Sequence, residues 1–273
     1  MKELIERLVR RRPEVALDAV LEAHHVAGFS ERGYTSIDRI TTDEELAWLR
    51  EVYDWLFADR VQAVKGGYFD LARPYESEGE DALPQILFPE SLVPELRRTA
   101  FWRNGRRIAA QLLEADSAAL LGWGHMIRKP ARIGAALPWH QDEAYWDPGF
   151  DYQAVGSWMP LDPVTPENGC LRFIPGSHRG AVRVHHHVGD DPTIHALVTD
   201  DVDPAPAVPV SLAAGGAIFH HCRTLHSSGP NTSDHVRRAY ANEWQMPPVR
   251  RATPEPRPWV EAGKRAWESR RIR

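Results

Sequence analysis

Cysteine, long apolar runs and excess positive charge are all scarce in this sequence, and each shortage excludes a class of protein. The 273 residues contain only two cysteines, Cys170 and Cys222, which exclude a disulfide framework and a Cys-x-x-Cys metal site. There is no signal peptide and no apolar run of about 18 residues, so we expect a cytoplasmic protein without a membrane partner. The net charge of −5, without a basic stripe, argues against nucleic acid as the partner.

The composition is that of a globular protein with a substantial core. Hydrophobic residues make up 42% of the chain and charged residues 26%, as in an ordinary folded domain. All-β barrels often reach this length as one domain, so we expect residues 1–273 to form a single one. Lysine and arginine are concentrated in residues 251–273, which we interpret as a solvated basic tail.

The N-terminal region is predicted to be mostly helical. Leucine and valine recur at helical spacing over residues 1–63, and Pro13 marks a break between two short helices. Thr42 and Asp43 are the candidate N-caps of the helix that follows. A further helix is predicted over residues 92–114.

From Trp123 onward the pattern changes to short strands punctuated by glycine and proline. This pattern predicts a mainly β fold, the double-stranded β-helix (a jelly-roll or cupin-like barrel), with N-terminal helices packed on it as a buttress. Residues 181–206 are predicted to form a long excursion from the barrel, either a lid or a disordered loop. Within the single domain we predict a mostly helical region over residues 1–120, a barrel core over residues 121–250 and a tail over residues 251–273. The predicted strands are 123–128, 137–141, 153–161, 169–174, 208–212, 216–222, 224–227 and 237–246.

Three residues have the spacing of a metal site. His140 and Asp142 are two positions apart, and residues i and i+2 of a strand point to the same side, so both can face the barrel interior. His226 is the candidate third ligand and must come from another strand. Two histidines and one carboxylate form the facial triad that binds non-haem iron(II) and leaves positions open. The spacing alone also allows a surface His-x-Asp and an unrelated core histidine.

The sequence around these residues carries three motifs in a fixed order. They are Pro138-Trp-His-Gln-Asp142, Asn168-Gly-Cys-Leu-Arg-Phe-Ile-Pro-Gly-Ser-His178 and His226-Ser-Ser-Gly-Pro-Asn-Thr-Ser-Asp-His-Val-Arg-Arg238. Over about residues 123–246 the chain closely resembles the phytanoyl-CoA dioxygenase family of Fe(II)- and 2-oxoglutarate-dependent oxygenases. The resemblance implies that His140, Asp142 and His226 bind Fe(II), with 2-oxoglutarate and O₂ as cosubstrates.

The resemblance also implies a binding site for 2-oxoglutarate. Arg237 occupies the family's cosubstrate position, and its planar guanidinium matches a carboxylate. Arg238, one step along the strand, is expected to face outward in a salt bridge. Ser228 matches a family hydroxyl that holds the same carboxylate, and Trp158 matches a bulky residue of the cosubstrate pocket, with a core aromatic as the alternative. The remaining predicted cosubstrate contacts are Met126 and Gln85.

Asp142 also bears on the type of reaction. Related halogenases have a small residue in its place, so the carboxylate favours hydroxylation of an unactivated C–H bond of a small-molecule metabolite, with release of succinate and CO₂. Desaturation, epimerisation or oxidative cyclisation by the same chemistry is the alternative among enzymes. A cupin-like protein that binds a metal or ligand without turnover is the alternative of another class, and an intact Arg237 speaks against it.

Candidate substrate contacts are aromatic and basic side chains near the metal motif. Trp139, Tyr145 and Trp146 could stack on a ring or sugar face, with packing in the core and rim as the alternative. Arg128 and Arg223 could neutralise an anionic substrate, with a solvated surface position as the alternative.

Two groups of adjacent histidines remain. The run 185–187 is not expected to bind a metal, because three adjacent residues of a strand cannot all face one ion. His220 and His221 are predicted either to orient the metal ligands or to be core histidines.

Overall fold

The computed structural model of the protein describes residues 8–58, 67–75 and 77–271. No helix within these ranges is both long and apolar enough to cross a membrane. The longer helices are α1 (Ala23–Arg32), α2 (Asp43–Ala58), α3 (Ala100–Leu112) and α4 (Pro258–Arg271). The strands are β1 (Tyr34–Ile37), β2 (Tyr68–Asp70), β3 (Pro84–Leu87), β4 (Leu121–Lys129), β5 (Leu137–His140), β6 (Phe150–Asp151), β7 (Ala154–Pro160), β8 (Leu171–Phe173), β9 (His186–His187), β10 (Leu197–Val198), β11 (Val208–Val210), β12 (Ala217–His221), β13 (His226–Ser228), β14 (Arg237–Gln245) and β15 (Val249–Arg250).

Two antiparallel sheets carry the fold. Seven strands form the large sheet in the order β1-β12-β7-β14-β4-β3-β2, and four strands form the small sheet in the order β11-β8-β13-β5. β14 lies at the centre of the large sheet and pairs with β4 over its whole length. All eight strands predicted from the sequence are present with shifted ends, whereas the other seven strands named above were not predicted.

The inner faces of the two sheets pack against each other. Trp158 and Ala241 of the large sheet share one apolar cluster with Phe173 of the small sheet, and Tyr34 stacks on Phe173 with ring centroids 4.5 Å apart. The predicted mainly antiparallel double-stranded β-helix architecture is thereby confirmed. Its closure into a barrel was wrong, because no strand ladder joins the edges of the two sheets within the described residues.

The outer face of the large sheet is covered by α2 and α3. Alternate residues of β14 point to opposite sides, so Tyr240 and Trp244 pack outward while Ala241 packs inward. Trp102 of α3 meets Trp244 edge to face at 5.0 Å, and Leu49 of α2 lies fully buried in the same cluster. This is the predicted helical buttress. Because it covers the outer face of the sheet, only the inward-pointing side chains of β14 reach the space between the two sheets.

The helix boundaries agree with the prediction at one point and differ from it at two. Thr42 Oγ1 accepts a hydrogen bond from Glu45 N at 3.3 Å, which makes it the N-cap of α2. The helix predicted over 92–114 is shorter, since α3 starts at Ala100 after Thr99 caps it with an accepted bond from Trp102 N at 3.1 Å. Short 3₁₀ turns precede it. The region 1–63, some of which lies outside the described residues, also contains strand β1 after α1.

The C-terminal tail is a structured element of the fold, and this corrects its interpretation as solvated. It forms α4, whose Trp259 is buried and donates from Nε1 to Ala144 O at 2.9 Å. The excursion 181–206 is packed as well. It carries β9 and β10, and Thr199 N donates to Trp139 O at 3.0 Å. Both segments therefore approach the turn that follows β5.

Candidate metal centre

A cavity lies between the two sheets, with walls from both. Its interior volume is about 210 Å³. Strands β4, β7, β12 and β14 supply its floor, and β5, β8 and β13 supply the opposite wall. Residues from the loops around β2 and β3 and from the 181–206 excursion line it as well.

The three predicted metal ligands meet in this cavity. His140 ends β5, His226 begins β13, and the two are register partners in the small sheet. Asp142 opens a 3₁₀ turn after β5, so it reaches the histidines from a turn and not from the strand that the i, i+2 argument assumed. Nε2 of His140 lies 3.9 Å and Nε2 of His226 lies 3.6 Å from Asp142 Oδ1.

Backbone contacts orient both imidazoles. His140 Nδ1 lies 2.8 Å from Pro138 O, and His226 Nδ1 lies 2.9 Å from Thr224 O. A carbonyl only accepts hydrogen bonds, so each Nδ1 carries the hydrogen and each Nε2 directs its lone pair toward Asp142. The ring centroids are 4.2 Å apart. The two nitrogens and one carboxylate oxygen are thus held ready for a shared ion.

The ionisation states also suit a metal. Burial alone would favour the protonated form of Asp142, but the imidazoles of His226, His220 and His140 hold the pKa of this carboxyl well below its usual range. Burial, together with His140, lowers the pKa of His226 to about 3, and burial lowers that of His140. The set is therefore two neutral imidazoles and a carboxylate, the forms that bind a divalent ion.

Arg237 is a buried cation that faces the same cavity. It is 2% exposed, its guanidinium lies 5.5 Å from the Trp158 ring centroid, and its Nε has no hydrogen-bond partner. Burial lowers its pKa to about 10, so it stays charged at neutral pH. No carboxylate of the described residues pairs with it. A buried, unpaired charge is costly, and the site is therefore suited to an anionic ligand such as a carboxylate.

Arg238 faces the opposite side of β14, as predicted. Its Nε lies 2.9 Å from Asp162 Oδ2 and its Nη1 lies 2.8 Å from Asp54 Oδ2. The two neighbouring arginines are thus separated by the thickness of the sheet, one in the cavity and one in a structural ion-pair group.

The other predicted cosubstrate residues divide into two groups. Ser228, Trp158 and Gln85 line the cavity. Met126 does not: it lies on the outer face of β4 and is fully buried in the cluster under the helices. Its prediction was wrong by one position in the strand, since its neighbours His125 and Ile127 face the cavity.

The predicted substrate residues divide in the same way. Tyr145 and Trp146 line the cavity, but Trp139, Arg128 and Arg223 do not. Trp139 alternates with His140 on β5 and lies under the guanidinium of Arg172, at 5.4 Å.

Arg128 and Arg223 contact structural partners and do not line the cavity. Arg128, on the outer face of β4, lies over the ring of Phe57 at 5.9 Å. Arg223 donates from Nε to Glu143 Oε2 at 2.6 Å. Their predicted role in binding an anionic substrate is therefore not supported by where they lie.

Several cavity residues were not predicted as site residues. His125 of β4, Glu243 of β14 and His195 of the excursion all line it. Burial, the largest cause, lowers the pKa of His125 to about 4, while burial and Asp142 raise the pKa of Glu243 well above its usual range. His125 and Glu243 could have been found by extending the inward alternation of their strands. His195 has no such signal, because it lies in an irregular segment.

Glu143, next to Asp142, anchors the turn that carries the metal ligand. It is fully buried, and Arg257 donates to its carbonyl at 2.6 Å and to its Oε1 at 3.0 Å. Arg223 and Arg251 also contact its carboxylate. The C-terminal segment thereby holds the backbone beside Asp142.

The three histidines of the run 185–187 contact three different partners. His185 Nε2 accepts from Gln141 N at 3.2 Å, His186 lies 3.1 Å from Asp200, and His187 Nε2 lies 3.0 Å from Trp259 O. The first of these contacts ties the excursion to the residue between His140 and Asp142.

The donor set fits iron(II) and the cavity fits its cosubstrate. The ligand atoms of His140, Asp142 and His226 lie within 4.8 Å of one another, and this combination of donors is that of non-haem iron oxygenases. The unpaired Arg237 in the same cavity offers a planar donor pair for a carboxylate.

Comparison with solved structures identifies a relative over most of the chain. The crystal structure of EvdO2 from Micromonospora carbonacea var. aurantiaca, complexed with 2-oxoglutarate, is 40% identical with a TM-score of 0.78, and the match covers 89% of this chain and 98% of that one. The similarity supports the predicted fold and the predicted cosubstrate.

Curated relatives match over shorter stretches. The probable alpha-ketoglutarate-dependent hypophosphite dioxygenase of Stutzerimonas stutzeri is 34% identical over 124 residues, which is 41% of this chain and 43% of that protein. The peroxisomal phytanoyl-CoA dioxygenase of Mus musculus is 24% identical over 230 residues, or 77% and 64%. The chain thus spans less than two thirds of the length of these relatives. The family model for phytanoyl-CoA dioxygenase (PhyH) matches residues 29–239, and the chain therefore belongs to the phytanoyl-CoA dioxygenase family, as its motifs predicted.

Proposed function

We propose that this protein is an Fe(II)- and 2-oxoglutarate-dependent oxygenase that hydroxylates a C–H bond of a small molecule. One observation carries the proposal: a His-Asp-His set with two buried histidines and a buried, unpaired arginine, Arg237, face the same cavity. A protein that only bound a metal would have no use for the second feature. The solved relative that holds 2-oxoglutarate supports the same conclusion.

In this proposal the chain supplies binding and orientation. His140, Asp142 and His226 would hold the iron, and Arg237 would pair with the distal carboxylate of 2-oxoglutarate beside Trp158. When bound, the iron couples the oxidative decarboxylation of 2-oxoglutarate by O₂ to oxidation of the substrate. The carbonyls that fix each Nδ1 keep the imidazoles in the tautomer that binds a metal.

The substrate would enter at the mouth of the cavity. Tyr145 and Trp146 line it from the turn beside the metal, and Trp146 meets Trp123 edge to face at 6.3 Å. Such aromatic walls exclude water and favour a substrate with an apolar or ring face. Desaturation, epimerisation and cyclisation use the same site, so analysis of the product separates them from hydroxylation.

The test is a screen for substrate-dependent succinate formation with Fe(II), 2-oxoglutarate and O₂. Hypophosphite and phytanoyl-CoA belong in the panel because relatives carry those names, alongside neutral ring compounds. Asp142→Ala is the inactive control. We expect stoichiometric succinate and an oxidised product from the wild type alone. Folded protein that neither binds Fe(II) nor consumes 2-oxoglutarate, with or without any panel member, would contradict the proposal.

A further inference from the structure

On the inner face of the large sheet, His220, Gly156 and Glu243 form a row across three strands. The register places His220 opposite Gly156 and Gly156 opposite Glu243. A Cβ atom on Gly156 would lie 2.6 Å from His220 Cε1 and 3.1 Å from Glu243 Oε1. Glycine therefore leaves the space in which both side chains reach Asp142, and the ligand-type atoms of Asp142, His220 and Glu243 lie within 4.8 Å of one another.

The two carboxylate oxygens of Asp142 have different neighbours. His220 Nε2 lies 2.9 Å from Oδ2, whereas the nearer contacts of the triad imidazoles are with Oδ1. His220 is 5% exposed, and its ring is enclosed by His226 at 4.7 Å and Phe173 at 5.6 Å. Its Nδ1 has no hydrogen-bond partner, so the contact with Asp142 is the polar contact that orients the ring.

We propose that His220 is a positioning residue that donates a hydrogen bond from Nε2 to Asp142 Oδ2 and so presents only Oδ1 to the metal. The inference rests on the proposed iron site and concerns how its carboxylate is held. If both oxygens bound the ion, one of the positions that the facial triad leaves open would be lost. His220 would thus preserve a position needed by 2-oxoglutarate or O₂, although it touches neither.

The experiment compares variants at His220 with a matched variant on the same strand. His220→Leu removes the donor, and His220→Gln keeps an amide donor. His221→Leu removes the adjacent histidine, which faces the other side and contacts Phe29. Anaerobic calorimetry with Mn(II) gives the affinity and stoichiometry of the ion. The visible absorption of the Co(II)-loaded protein reports how many ligands surround it.

The proposal predicts that His220→Leu weakens Mn(II) binding about 10- to 100-fold, the usual effect of losing a residue that supports a metal ligand. The Co(II) spectrum should change in His220→Leu, return toward wild type in His220→Gln and stay unchanged in His221→Leu. A merely structural role would lower the melting temperature without changing the spectrum of the loaded protein.

Three outcomes overturn the inference in different ways. Unchanged affinity and spectrum in folded His220→Leu, or in His220→Gln where the leucine variant fails to fold, means that His220 does not position Asp142. Two equivalents of Mn(II) in the wild type, one of them lost in Glu243→Gln, means that His220 and Glu243 are themselves ligands. A wild type that binds no ion refutes the proposed iron site, and with it this role.

Discussion

The two ends of the cavity are built from different kinds of structure. At the inner end, Trp158, Arg237 and Ser228 project from strands of the two sheets, and their directions follow from strand alternation. At the mouth, Tyr145 and Trp146 come from a 3₁₀ turn and its end, and the other wall comes from loops. In the proposed function, the regular end would bind the invariant cosubstrate and the irregular end would face the substrate. Oxidative chemistry and substrate specificity would then belong to separable regions of the molecule.

The turn at the mouth of the cavity should depend on the C-terminal segment for its stability, whereas the strands at the inner end should depend on it less. Arg257→Leu leaves the fully buried Glu143 without its most deeply buried cation, and breaking a buried ion pair costs about 3–5 kcal/mol. We expect a loss near the lower value, since Arg223 and Arg251 still contact Glu143. Denaturant unfolding measures it, with the exposed Arg250→Leu as control. A loss below about 1 kcal/mol would mean that the segment does not hold the turn.

Binding of 2-oxoglutarate at the inner end should depend on Arg237 and not on its neighbour Arg238. Arg237→Leu removes hydrogen bonds to a carboxylate, worth about 1.5–3 kcal/mol, so the dissociation constant of 2-oxoglutarate should rise about 10- to 100-fold while Mn(II) affinity is kept. Arg238→Leu, one residue away but on the other face, should leave 2-oxoglutarate binding unchanged. Calorimetry on the Mn(II)-loaded proteins gives both values. Equal effects of the two variants would refute the assignment of the inner face.

The smallest effect is expected at the mouth. Trp146→Leu removes an aromatic contact with Trp123 and Tyr152, and such contacts are worth about 0.5–1.5 kcal/mol. The KM for the substrate found in the screen should rise up to about tenfold, while the dissociation constant of 2-oxoglutarate stays the same. A comparable change in 2-oxoglutarate binding would show that the two ends are not separable.

The sequence predicted the inner end well because alternation along strands is regular. It distinguished Arg237 from Arg238, which lie on opposite faces of β14 as expected. The same rule explains the error at Met126, since a shift of one residue moves a side chain to the other face. His125 lies where Met126 was expected, and the motifs did not fix the position of that strand to a single residue.

The two basic residues predicted to contact the substrate lie outside the cavity for a physical reason. Arg223 and Arg128 carry charges that looked available for a substrate, but one pairs with Glu143 and the other lies over Phe57. Such long-range partners have no signature in local spacing. The C-terminal segment was misread in the same way, because its basic composition says nothing about Arg257 being buried against Glu143.

The most direct test of the account is anaerobic binding of 2-oxoglutarate in the presence and absence of Fe(II). We expect the wild type to bind 2-oxoglutarate tightly only when iron is present. We also expect that Asp142→Ala, which removes a ligand of the triad, loses this metal-dependent binding while it remains folded. Binding of 2-oxoglutarate that is equally tight without metal, or that persists with iron in Asp142→Ala, would contradict the assignment of His140, Asp142 and His226 as the iron site.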